Sequence, residues 1–260
     1  STAFTRAAFP GLADGVHVLR VQAQSAGGVW GPVLVWSFTV DTQSQTLRWR
    51  ADASQQVRLS IAPGVIYMAQ KSRLAALDSA TGKTLWETSL SDQVSVSCAD
   101  CIHAAGDRVF VLTNDSELQA FERESGRKVW SQRLSKVSPR ILTWGENVVV
   151  IERNEKAQRV PAMVRVLNAA GDEQSRFDLT CEKTSSPGDV ETASTDAPIL
   201  VDDEAGMLYA VYGNYGACVQ KRNLSTGGLV WSGATDTRFS SSRGASLLLR
   251  GGMLLASGQN

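Results

Sequence analysis

The 260-residue sequence has no excess of either charge: 26 Lys and Arg stand against 26 Asp and Glu. Such a balance leaves no field to draw in nucleic acid non-specifically, so no nucleic-acid partner is expected. No apolar run approaches the ~20 residues of a bilayer-crossing helix, so no membrane insertion is expected within this segment. Histidine is scarce, with only His17 and His103. Neither has a Ser or Cys at nucleophile-motif spacing, and G-x-S-x-G, H-E-x-x-H and P-loop patterns are all missing. No catalytic residue and no metal ligand is therefore assigned. No signal peptide is visible at Ser1, which says little of an excerpt. Ser1 falls inside a patterned strand with no initiator Met, and Met253-Leu254-Leu255-Ala256 begins a repeat whose next strand does not follow. The sequence thus reads as an excerpt of a longer one.

What is present is repetition within an ordinary globular composition, 43% hydrophobic and 20% charged. Leu74 to Trp86 reads LAALDSATGKTLW, Leu118 to Trp130 reads LQAFERESGRKVW, and Val219 to Trp231 reads VQKRNLSTGGLVW. In each, an alternating strand runs into Thr/Ser-Gly, and a Trp follows the Gly by four residues. Another strand stands ahead of each copy: Val65 to Met68, Val109 to Leu112 and Met207 to Ala210. Strands, a glycine turn and a Trp strand recurring at about 40–50 residues predict the blades of a β-propeller.

These residues resemble the PQQ-like, or quinoprotein-type, propeller family from about Leu47 to Asn260, with the motif A-x-D-x-x-T-G-x-x-x-W. Ala76, Asp78, Thr81, Gly82 and Trp86 match it. Ala120, Ser125, Gly126 and Trp130 match with Glu122 in place of Asp, and Thr226, Gly227 and Trp231 match with Lys221 and Asn223 in place of Ala and Asp. All twelve matching residues are expected to build the fold rather than bind a ligand. The glycines close turns that need positive φ. Asp78 can cap the turn backbone. The resemblance implies that each Trp packs between blades, with the small Ala leaving room for its ring. A repeat between Ser138 and Leu179 has decayed: Gly171 marks its turn, but Ser175 stands where the Trp belongs, and Phe177 is expected to cover part of the gap. Four blades and a truncated fifth are expected, all-β, over residues 43–260. Trp49 is expected on an outermost strand that completes another blade.

Residues 1–42 do not follow the blade pattern. Phe4 to Phe9, Val16 to Val21 and Val33 to Val40 alternate, with turn residues between them. They resemble the last strands of an Ig-like or fibronectin type III-like sandwich, half of a domain that would show an exposed apolar face by itself. Residues 41–46 form a polar linker. Glu182 to Thr195, rich in Ser, Thr, Gly and Asp, reads as a surface loop inserted before the fourth blade.

Four cysteines remain: Cys98, Cys101, Cys181 and Cys218. Cys98-Ala-Asp-Cys101 lies between β elements rather than opening a helix, which argues against a thioredoxin-like role. Disulfides in an exported protein are the expected use, Cys98 with Cys101 and Cys181 with Cys218, all on the face opposite the Thr-Gly turns. Asp202-Asp203-Glu204 lacks the alternating oxygens of a calcium loop and reads as a solvated turn.

The resemblance implies a non-catalytic, extracytoplasmic scaffold that takes a protein or glycan partner on its loop face, with no cofactor. It also implies a rival, a quinoprotein dehydrogenase using PQQ and calcium. That chemistry needs an Asp base, acidic calcium ligands and usually an adjacent Cys-Cys pair, which this sequence lacks. A third possibility is the extracellular sensor domain of a signalling protein.

Overall fold

The structure is a computed structural model. It describes residues 15–21, 28, 30, 34–40, 57–95, 101–135, 139–152, 161–182, 190–192, 197–212, 217–235, 246–250 and 253–257. The expected strand at Phe4 to Phe9, the linker, Trp49 and Cys98 lie outside the described residues. The chain divides into two compact units, 1–50 and 51–260.

In the first unit, β1 (Gly15–Val21) pairs antiparallel with β2 (Leu34–Val40), from Gly15 opposite Val40 to Val21 opposite Leu34. Val16 and Val18 share one face of β1 by the period of a strand, and both are exposed.

The second unit is all-β among its described residues. Blade one comprises β3 (Val57–Ala62), β4 (Val65–Gln70), β5 (Arg73–Asp78) and β6 (Thr84–Ser89). Blade two comprises β7 (Ile102–Ala105), β8 (Arg108–Leu112), β9 (Glu117–Glu122) and β10 (Lys128–Arg133). Blade three comprises β11 (Arg140–Trp144), β12 (Asn147–Glu152), β13 (Met163–Leu167) and β14 (Glu173–Asp178). A short hairpin, β15 (Thr180–Glu182) with β16 (Val190–Thr192), precedes blade four. The segment expected as a surface loop therefore contains strand structure at both ends, because Thr180 pairs with Thr192 and Glu182 with Val190. Blade four comprises β17 (Ile199–Asp202), β18 (Met207–Tyr212), β19 (Ala217–Asn223) and β20 (Leu229–Thr235). β21 (Ser246–Arg250) and β22 (Met253–Ser257) begin blade five.

Each complete blade is a four-stranded antiparallel meander in chain order. The first strands lie against one another in sequence: β3 on β7, β7 on β11, β11 on β17 and β17 on β21. That is how blades meet around a propeller axis. Tyr67, Phe110, Ile141 and Val150 fall in one apolar cluster shared by blades one to three. Val149, Val164, Leu208 and Tyr212 fall in another, between blades three and four. Burial of such side chains contributes about 1.5–3 kcal/mol each and drives the stacking of blades.

Antiparallel pairing places the turns within each blade's first and last hairpins at one end of the sheets. Ser79 N donates to Gly64 O, Arg123 N to Asp107 O, and Leu224 N to Gly206 O, tying the two turns of a blade together. The opposite end, the connector face, carries the chain from blade to blade.

Candidate binding surface on the connector face

The motif residues are occupied by the fold. Gly82, Gly126, Gly171 and Gly227 all have positive φ, between 70° and 91°. The glycines of later blades do a further job. Trp86 of blade one lies on Gly126 of blade two, where a Cβ would collide with the indole. Trp130 lies on Gly171, where a Cβ would stand 3.0 Å from the ring. Trp86 Nε1 donates to Arg123 O at 2.8 Å, and Trp130 Nε1 to Ala169 O at 2.9 Å. Ala76 pairs with Trp86 and Ala120 with Trp130, both alanines fully buried. Trp231 is 41% exposed.

The turn cap repeats as well. Asp78 Oδ1 accepts from Ala80 N, Thr81 N and Thr81 Oγ1. The Thr81 hydroxyl and amide hold the Asp78 carboxyl below its usual range. Glu122 accepts from Arg127 and the Ser125 hydroxyl, which lower its pKa in the same way. Asn223 Oδ1 accepts from Thr226 N and Oγ1, and Asn168 Oδ1 from Ala170 N and Asp172 N. Replacing Asp by Asn therefore preserves the cap, since only the acceptor oxygen is used.

At the connector face, sequence reasoning missed a second repeated device. Gln119, Arg165 and Gln220 occupy equivalent places in the third strands of blades two, three and four, and all are buried. Gln119 and Gln220 bond the connector that brought the chain from the preceding blade, and Arg165 reaches it through Glu152. Gln119 Nε2 donates to Ser91 Oγ, and to Glu117 Oε2 at 2.6 Å. The Ser91 hydroxyl in turn keeps the Glu117 carboxyl ionised below its usual range. Arg165 Nη1 donates to Glu152 Oε1 at 3.1 Å, and Glu152 Oε2 accepts from Ser135 N at 2.7 Å. Gln220 Nε2 donates to Thr180 O at 2.5 Å. In β9 and β13 the available signal was a polar residue between apolar neighbours of the third strand; β19, where Lys221 and Arg222 follow Gln220, carried none.

Arg165 also donates to Glu173, which accepts from Arg176. Burial works against both charges. The hydrogen bonds outweigh it, raising the Arg165 pKa and lowering that of Glu173.

Cys181 and Cys218 form a disulfide, with Cα atoms 6.3 Å apart. Cys218 lies on β19, two residues before Gln220, and Cys181 follows Thr180 on β15. The β15–β16 hairpin is thus fastened to β19 twice, by the disulfide and by the Gln220 hydrogen bond. Cys101 is buried on the same face; its Sγ donates to Ser95 O at 3.3 Å, and its carbonyl accepts from Leu112 N. On the turn face, Asp203 Oδ1 accepts from Gly145 N of blade three, so the acidic turn there clasps its neighbour as well as meeting water. His17 and His103 are half-buried on β1 and β7.

No three His, Cys, Asp or Glu side chains among the described residues converge as cation ligands. The buried carboxylate of Glu152 is already held by Arg165 and Ser135 N. No step is derived through a PQQ–calcium centre. No helix among them is long and apolar enough to cross a membrane.

Four radial meanders, aromatic rings seated on the next blade's glycine turn, and capped turns define a β-propeller of PQQ-like repeats. The PQQ_2 family model, described as Outer membrane protein assembly factor BamB, matches residues 35–248, and the chain belongs to that family. Quinoprotein ethanol dehydrogenase of Pseudomonas aeruginosa is 31% identical over 131 residues, covering 46% of this chain and 20% of that protein. This chain thus spans about a fifth of that curated relative's length. Among solved structures, the computationally designed Ika8 protein superposes with a TM-score of 0.56 at 13% identity, over 92% of this chain and 64% of that one. A europium-containing methanol dehydrogenase gives 0.52 at 13% identity, over 78% and 47%. At such identities the likeness shows the fold alone.

Proposed function

We propose that this propeller is a non-catalytic binding or scaffolding module outside the cytoplasm, taking a protein or glycan partner on its connector face. The carrying observation is the inserted β15–β16 hairpin, fastened to blade four by both Cys181–Cys218 and Gln220. A loop held at its base keeps its shape at lower entropic cost on binding, as recognition loops on rigid scaffolds do. The disulfide supports an oxidising compartment. The motif residues support the same reading, because their polar groups are consumed in caps and blade contacts. Residues 1–42 would then be the final strands of an Ig-like or fibronectin type III-like neighbour, as in a modular surface or periplasmic protein.

The rival reading, part of a PQQ- and calcium-dependent dehydrogenase, is favoured by the curated relatives, which are quinoprotein dehydrogenases. Two measurements separate them. A photo-crosslinking residue at Thr180 on the connector face should trap a partner that one at Thr81 on the turn face does not. Dye reduction with alcohols or aldose sugars, after adding PQQ and calcium, should stay at the heat-killed level. Turnover above it overturns the proposal, as does crosslinking confined to Thr81.

A further inference from the structure

The outer rim of each complete blade is a sheet edge. Among the described residues, β6, β10, β14 and β20 each stand last in their sheets, so part of their backbone N–H and C=O groups face away from the blade. An open edge accepts another strand unless it is blunted, most simply by charge. Three of the four rims are charged: Glu87 on β6, Lys128 and Arg133 on β10, and Glu173, Arg176 and Asp178 on β14. The rim of blade four differs. The sequence of β20, LVWSGAT, holds no charged residue, and it is seven residues long where the others are six.

Beyond its bulge, β20 pairs with β19 without interruption from Trp231 to Thr235. Gly233 lies in the middle of that run, exposed, and nothing stands within 4 Å of the position its Cβ would take. A glycine inside a strand marks a place where another backbone can approach closely. Ser232 beside it is small and exposed too, so the centre of this rim offers main chain rather than side chain. Neighbouring blades do not cover such an edge, because blades stack through their faces, as Trp86 does on Gly126. A blade after blade four covers the face that carries Trp231 and leaves the rim open.

Charge selects the occupant. From Gly206 to Ala234 the chain carries Lys221 and Arg222 and no Asp or Glu. Both lie on β19, one strand inward of the rim, a spacing of about 5 Å. A second copy paired rim to rim would bring this positive strand toward its own like. A strand flanked by acidic residues meets it with opposite charge.

We propose that β20 is a docking edge for an extended segment of a partner protein, uncharged where it pairs and acidic at its ends. The segment extends the four-stranded sheet of blade four by one strand. Main-chain hydrogen bonds supply the affinity, and the acidic flanks supply the choice of partner. This surface lies on the rim and stands independently of the connector-face reading.

The test uses the full 260-residue chain and a synthetic peptide of alternating valine and threonine with glutamates at each end. Hydrogen exchange read by mass spectrometry should show the peptide protecting the amides of β20 and leaving those of β6, β10 and β14 unchanged. The same peptide ending in lysines should bind about 5-fold more weakly at low salt. Gly233→Lys should weaken binding by about 10-fold or more, since it gives this rim the charge the others carry. It should fold like the wild type, because the φ of Gly233 is not in the left-handed region and the space beside it is open. Gln174→Lys, exposed on β14, should bind the peptide as the wild type does. Protection of every rim alike, no protection of β20, or undiminished binding by Gly233→Lys would overturn the proposal. Amides of β20 already protected in the free chain would overturn it as well, assigning the edge to another part of this chain. Protection that grows with protein concentration alone would assign it to a second copy and overturn it too.

Discussion

The Ser175 hydroxyl donates to the Leu224 carbonyl, the bond that Trp86 and Trp130 make through their indole nitrogens in the preceding blades. Ser175 holds the Trp position of blade three, opposite Val166. The ring contact has passed to Phe177, which lies on Gly227, where a Cβ would stand 2.9 Å from Cδ1. Two residues thus share what one Trp does elsewhere, and a buried Val166 stands where blades one and two have Ala. Phe177→Ala should cost about 3–5 kcal/mol by cavity formation, and Ser175→Ala about 1 kcal/mol. Urea denaturation of each variant checks the ratio.

Trp86→Ala and Trp130→Ala should likewise each cost about 3–5 kcal/mol. Trp231→Ala should cost clearly less, because that ring is 41% exposed. Trp144 stands off the motif position but lies 3.0 Å from a Cβ built on Gly206, so it too seals a junction between blades. Its loss should fall between these limits. Equal melting shifts for all four variants would contradict the assignment.

Gly126→Ala should destabilise through two effects. The backbone sits at φ 70°, where a Cβ costs about 1–2 kcal/mol. The new methyl would also collide with the Trp86 ring, adding about 1–3 kcal/mol of overpacking. Gly145, at φ 55°, has nothing within 4 Å of its Cβ position, so Gly145→Ala should show the backbone cost alone. The difference between the two variants measures the Trp contact.

Acid should weaken the Arg165 cluster. Burial tends to raise the Glu173 pKa, but Arg176 and Arg165 hold it below its ordinary 4.5. A carboxyl depressed in the folded state contributes stability above its unfolded pKa and loses it as pH falls through the folded value. The melting-temperature gap between wild type and Glu173→Gln should therefore be full above about pH 4.5 and close below it. A gap that widens in acid would refute the pairing.

Arg165→Met should cost more than Glu173→Gln, about 3–5 kcal/mol, because it leaves Glu152 buried without its cation. The double variant Arg165→Met with Glu152→Leu should recover much of that loss. A double-mutant cycle by denaturant melts measures the coupling.

The blade count, the strand order and the turn positions were legible in the sequence, because period-2 alternation and the Gly-to-Trp spacing are local properties of a strand and a hairpin. The pairing of Cys181 with Cys218 was also accessible, because a meander dictates which connections share an end. What the sequence hid depends on groups brought together from different blades. That Phe177 covers part of the gap was legible in the decayed motif, but the bond from Ser175 to Leu224 was not, since Leu224 lies a full blade away. The anchoring of Gln119, Arg165 and Gln220 to earlier connectors was equally invisible, because a polar residue on a buried strand reveals its partner only when the blades have stacked. Local patterning determined the blades; the packing of each blade on the next, where aromatic rings and buried polar groups must find complements, was decided by tertiary structure alone.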